Sequence, residues 1–126
     1  MKYSELSAQI IGCSMAVHRV LGNGFQEVIY QRCLAIEMKH AGIIYQREFD
    51  MPIFYREKQI GTRRVDFLVD GILSVELKAV RELEYSHFAQ AINYLEAFNL
   101  EVGLLINFGE TSLKFKRFTN KKYRPS

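Results

Sequence analysis

The chain has 126 residues, 48% hydrophobic and 25% charged, enough for one domain with a real core and too few for two. No apolar run approaches the length of a membrane-spanning helix, and Met1-Lys-Tyr-Ser-Glu-Leu at the N-terminus is not an apolar signal segment, so a cytoplasmic protein is expected. The net charge of +3 is unevenly placed: residues 114–126 hold Lys114, Lys116, Arg117, Lys121, Lys122 and Arg124 and no acid, leaving 11 basic against 14 acidic residues elsewhere. Such a basic tail, from about residue 119, either contacts phosphates or is a solvated end. Cys13 and Cys33 lack CxxC or Cys/His spacing, which favours reduced thiols over a metal role.

Residues 5–21 read as a helix, with Ser4 or Ser7 as its cap and Gly22 as its stop. Leu6, Ile10, Cys13, Val17, Val20 and Leu21 nearly surround its axis, which predicts a well-buried helix. His18 has no second ligand at i+4 and reads as an ordinary helix residue. Gly22-Asn-Gly24-Phe25 breaks the chain, and no GK[S/T] follows to make it a phosphate loop. A second helix is expected over about residues 26–40. Glu27 in its first turn suits the helix dipole, and Tyr30 follows at i+3 on the neighbouring turn.

Residues 43–55 read as a long strand, with Pro52 marking an edge or bulge and residues 56–61 as its turn. The stretch 62–80 reads as a β-hairpin. Val65, Phe67 and Val69 alternate with Asp66, Leu68 and Asp70, and Asp70-Gly71 is a two-residue turn signal. On the return strand from Ile72, Glu76 and Lys78 project to one face, and the hairpin brings Asp66 beside them. Three charges at the end of an apolar sheet are costly unless they pair or bind an ion. Arg64, two residues before Asp66, is expected on the same face, where it binds phosphate or pairs with a carboxylate. Ser86 is expected to cap a helix to about Asn99, with His87, Gln90 and Tyr94 at helical spacing and Gln90 and Tyr94 on one face. Residues 102–108 form a strand. Residues 113–118 form a last edge strand, with Lys114 and Lys116 facing solvent and Phe115 packed inward. The order α-α-β-β-β-α-β-β predicts an α/β domain, a mixed α+β sheet flanked by helices, whose third helix joins two parallel strands by a right-handed crossover.

Asp66, nine intervening residues and then Glu76-Leu77-Lys78 resemble the metal-binding core of the PD-(D/E)XK nuclease superfamily, without a proline before Asp66. Gly24-Phe-Gln-Glu27-Val-Ile-Tyr30 is similar to the G-x-x-E-x-x-Y signature that names one branch of it. The stretches at 64–69, 75–80, 87–95 and 103–108 resemble that branch in the same order. The resemblance spans roughly residues 5–118 and implies a restriction-endonuclease-like core and a metal-dependent nuclease acting on DNA. It implies Asp66, Glu76 and the backbone carbonyl of Leu77 as ligands of Mg²⁺, with Mn²⁺ able to substitute. Lys78 then orients or deprotonates the attacking water, or stabilises transition-state charge, and Glu27 holds a metal-bound water or a second ion. Gln90-x-x-x-Tyr94 resembles the QxxxY element of exonuclease-like members, so Gln90 and Tyr94, with Arg64, Tyr30 and His87, are the expected substrate-binding residues. A non-catalytic nucleic-acid-binding or protein-interaction module on the same fold is the alternative. No DNA-reading module is present, so cutting without strong sequence specificity is expected. The edge strand near 113–118 offers a surface for a homodimer, as a covered or charged edge would not.

Overall fold

The computed structural model describes residues 3–125. Three helices, α1 (Ser4–Leu21), α2 (Glu27–His40) and α3 (Tyr85–Phe98), flank five strands: β1 (Tyr45–Tyr55), β2 (Lys58–Val69), β3 (Leu73–Lys78), β4 (Val102–Asn107) and β5 (Lys114–Thr119). The sheet order is β1-β2-β3-β4-β5. Only β3 and β4 run parallel, joined by α3 as expected. Both are covered on two faces, and every residue of β4 is buried, which accounts for their near-continuous apolar sequence.

The main core lies between the sheet and α1 and α2, with Ile10, Tyr30, Leu34, Phe67, Leu77 and Phe108 among its residues. On the opposite face Leu95 of α3 packs with Leu105 and Phe118. A Cβ on Gly103 would meet Ser74 Oγ at 2.8 Å and Leu95 Cδ2 at 2.9 Å, so a glycine in β4 is what lets α3 approach the sheet. α1 buries only the stripe Ser7, Ile10, Ser14 and Val17. Val20 is 83% exposed: α1 packs on α2 from one side, and its other apolar side stays open, contrary to the expected all-round burial. Neither Ser4 nor Ser7 caps α1. Tyr3 holds that place in a left-handed conformation, and the Ser7 hydroxyl accepts from Arg117 Nε instead. Likewise Glu84, not Ser86, caps α3, in a reciprocal pair with His87.

The β1–β2 hairpin is longer than its sequence suggests. Its turn is only Arg56-Glu57, both at positive φ (48° and 67°), as a tight two-residue hairpin turn requires. The β2–β3 connection is longer than expected: Val69 pairs with Leu73, leaving three residues in the loop, with Asp70 and Gly71 at positive φ. Within the hairpin the two-residue alternation slips once. Phe67 and Val69 enter the main core, whereas Val65 packs with Met51 and Leu68 toward Phe98 on the α3 side. The slip falls at Asp66, across from Glu48, which adopts φ +52°.

The last residues are strapped to the C-terminal end of α3. Asn120 Nδ2 donates to the Leu95 and Leu100 carbonyls, and Asn99 exchanges two hydrogen bonds with the Arg124 backbone. The segment is thus tied to the body of the domain, while Lys121, Lys122 and Arg124 stay exposed to solvent. Phe115 on β5 is 45% exposed, because an edge strand has no neighbour on its far side; it does not pack inward. Among the described residues no helix is long and apolar enough to cross a membrane.

Candidate active site

β2 and β3 pair only from Val69–Leu73 to Phe67–Val75. Beyond that they part, and the parting leaves the Leu77 amide without a strand partner on this side. Asp66 fills the gap: its Oδ2 accepts from Leu77 N–H at 2.8 Å. Its Oδ1 accepts from Gln31 Nε2 at 2.7 Å, so α2 holds the same carboxylate from above.

Glu76 projects toward α3. Its side chain is 10% exposed, and Oε2 lies 3.1 Å from Arg63 Nη2. Its Oε1 is buried with no hydrogen-bond partner. Burial pushes the Glu76 carboxyl up to about 7; Arg63 opposes this, Asp66 adds to it, Lys78 opposes and Glu27 adds. Glu27 stands open to solvent in the first turn of α2. Its carboxyl is also raised, by desolvation first and by the Asp66 charge second, against Lys78 and Arg63. Glu27, Asp66, Glu76, Lys78 and Arg63 thus share one electrostatic field at the mouth of the strand parting.

Arg63, Glu76, Lys78, His87, Gln90 and Tyr94 line one small recess between β2, β3 and α3. The Arg63 guanidinium lies 4.4 Å over the Tyr94 ring, a favourable cation–π distance. His87 Nδ1 accepts from the Glu84 N–H at 2.9 Å, which makes Nε2 the nitrogen that carries the ring's N–H. A separate groove of about 330 Å³ under the hairpin is lined by Phe49, Met51, Phe54, Leu68, Phe98 and Leu100; its apolar walls offer no chemistry of bond cleavage.

Two expected residues stand elsewhere. Arg64 does not face Asp66: it pairs with Asp50 at 2.9 Å and Glu48 at 3.9 Å on the open side of the hairpin. The slip in alternation exchanges the faces of the two arginines, so Arg63 takes the place at Glu76. Tyr30 is fully buried and stacked on Phe108 at 4.6 Å. Its hydroxyl donates to the Gly22 carbonyl at 2.5 Å and accepts from Phe25 N–H, so it closes the α1–α2 loop and does not line the recess.

Three contributors escaped sequence reasoning. Gln31 follows Glu27 at i+4, the spacing that should have placed it beside the site. Arg63 was hidden by the slip. Asn107 is the lone polar residue in an apolar strand. Its Oδ1 accepts from the Val80 and Gly109 amides, and its Nδ2 donates to the Val80 carbonyl and Glu110 Oε2. It pairs in register with Lys78 and pins the chain two residues beyond it.

A hard divalent cation suits this donor set. The Asp66 and Glu76 carboxylates lie within one another's electrostatic reach, and one buried carboxylate oxygen lacks a partner. Such ions accept one or two protein carboxylates and keep several waters. Among the described residues no group of three or more His, Cys, Asp or Glu forms a closed cage, so any ion here takes most of its ligands from water or substrate.

A five-stranded mixed sheet flanked by helices, with acidic residues where its central strands part, is a restriction-endonuclease-like domain. A family model described as the PD-(D/E)XK nuclease superfamily matches residues 4–118; the chain belongs to that superfamily, whose members are mostly nucleases and typically use divalent metals. Among solved structures, the crystal structure of SSO0001 is similar, with a TM-score of 0.60 and 16% identity over 94% of this chain. This chain spans 60% of that one, and at this identity the likeness is one of fold. No curated protein matches the chain.

Proposed function

We propose that this protein is a Mg²⁺-dependent deoxyribonuclease of the G-x-x-E-x-x-Y branch, hydrolysing phosphodiester bonds without strong sequence specificity. The observation that carries the reading is the partnerless Oε1 of Glu76, a carboxylate oxygen nine-tenths buried beside a second carboxylate and a lysine. A surface that only binds phosphate gains nothing from carboxylates there. Asp66 and Glu76, with the Leu77 carbonyl, would hold the ion, and Mn²⁺ would substitute. When bound, the ion neutralises phosphate charge and acidifies a coordinated water. The Leu77 amide and Gln31 fix the Asp66 carboxylate before any ion arrives, which lowers the cost of ordering it. Lys78 places a cation at the recess that orients the water or meets developing negative charge. Glu27, open to solvent across from Asp66, holds a water or a second ion. Gln90, Tyr94 and His87 form the wall against which substrate lies. The protein acts in the cytoplasm in this reading, and pairing of the β5 edges in a homodimer would present two sites to a duplex.

The test is incubation of labelled single- and double-stranded DNA and RNA with Mg²⁺, with Mn²⁺ and with EDTA, using wild type and Asp66→Asn. Cleavage of DNA by wild type in either metal, absent in EDTA and in the variant, is expected. Cleavage that survives EDTA or the substitution, or none under any condition, rejects the reading.

A further inference from the structure

Arg63, not Lys78, is the cation hydrogen-bonded to Glu76, and the pair is incomplete on both sides. One nitrogen, Nη2, meets one oxygen at 3.1 Å. The guanidinium Nε and the carboxylate Oε1 are both buried without partners. A two-pronged pair would have satisfied them, since guanidinium and carboxylate match as forks. Arg63 also has anchors independent of Glu76: its carbon skeleton ends over the Tyr94 ring, and Nη1 donates to the Arg64 carbonyl at 2.7 Å. The backbone at Arg63 pairs only with Met51 of β1, because β3 has already parted from β2. A cation so placed is held near Glu76 by charge and near Tyr94 by stacking.

We infer that Arg63 is an exchangeable counter-ion and a phosphate-binding residue: it neutralises Glu76 until a divalent ion displaces it, then takes a substrate phosphate from its seat on Tyr94. The inference rests on the nuclease reading, since it assumes an ion at Glu76. The guanidinium and the ion claim the same carboxylate, and two cations a few ångströms apart in a sheltered site repel. A phosphodiester offers the guanidinium the second acceptor that Glu76 does not supply. Ion and nucleic acid then help one another to bind, and by linkage each strengthens the other by the same factor.

Calorimetric titration of Mn²⁺ at pH 8, with and without a phosphorothioate-linked single-stranded decathymidylate, tests this without any turnover. In wild type the oligonucleotide should tighten Mn²⁺ binding about fivefold or more. Arg63→Gln should bind Mn²⁺ alone at least about fivefold more tightly than wild type and show no further gain from the oligonucleotide. Arg63→Lys, which keeps the charge, should match wild type for the ion alone. Absence of linkage in wild type overturns the inference with no variant needed. So does an Arg63→Gln affinity equal to wild type while Asp66→Asn still loses the ion; the metal site then stands and the role of Arg63 falls. Equal heats in wild type and Asp66→Asn remove both.

Discussion

Glu76 makes stability depend on pH in a direction opposite to that of most paired carboxylates. Its carboxyl stands at about 7 in the folded chain against an ordinary 4.5. The folded state therefore holds a proton that the unfolded state has released. The stabilisation is fully present below about pH 4.5 and is lost as pH rises through about 7. A rise of this size corresponds to about 3 kcal/mol, at 1.36 kcal/mol per pH unit. Glu76→Gln replaces the acid by a neutral isostere, so it mimics the protonated form at every pH. In EDTA, urea unfolding of the two proteins from pH 4.5 to 8 should give similar stabilities at the acid end. At pH 8 the variant should be more stable by about 3 kcal/mol, roughly 10 °C in midpoint for a chain of this size. Groups outside the Glu27, Asp66, Lys78 and Arg63 cluster titrate alike in both proteins and cancel in the difference. A difference that does not vary with pH would show that Glu76 is ionised throughout, held by Arg63 as a plain ion pair, and would refute the reasoning.

Asn107→Ala should cost roughly 3–5 kcal/mol, because it strands the Val80 and Gly109 amides and the Val80 carbonyl, each worth about 1–3 kcal/mol when water is excluded; chemical denaturation reads this directly. Tyr30→Phe should lower stability by about 1–2 kcal/mol through loss of its bonds to Gly22 and Phe25, while leaving Mn²⁺ titration heats unchanged. Lys114→Gln with Lys116→Gln removes two exposed charges from β5, so anisotropy with a labelled oligonucleotide should show weaker binding and a salt slope shallower by about 1–2, at an unchanged melting temperature. A slope equal to wild type would place the DNA path elsewhere.

The order of elements was legible because the signals were local. Asp70-Gly71 marks a reversal, the apolar stretches of β3 and β4 mark strands covered on both sides, and the helix between them leaves a parallel crossover as the natural connection. Asp66, Glu76 and Lys78 were legible because charges inside such strands demand a reason. What failed was anything set by packing across the sheet. The exchange of Arg63 for Arg64 goes with a break in the β1–β2 pairing, where Glu48 at φ +52° and Asp66 fall unpaired between Arg47–Phe67 and Phe49–Val65, and no local residue pattern announces a slip between alternating apolar residues. Tyr30 read as a site residue because its neighbours did. Its partner Phe108 lies 78 positions away, and only the folded chain shows the two rings stacked. The cap of α3 was misplaced by two residues because Glu84 and His87 satisfy one another better than Ser86 alone.

Asn107 binds both backbone groups of Val80, and a Cβ at Gly109 would run into the Val80 backbone. The end of β3 is thus clasped from β4, the strand that lies beside it, and not by the residues that follow it in the chain. The segment 81–84 inherits no duty to hold Lys78 in place. Evolution and the protein engineer are both free to rewrite residues 81 and 82, so long as Leu83 keeps its packing against Leu95, Leu105 and Phe118 and Glu84 stays to start α3. Asn107 and Gly109 have no such freedom, since a change at either releases the end of β3 or collides with it.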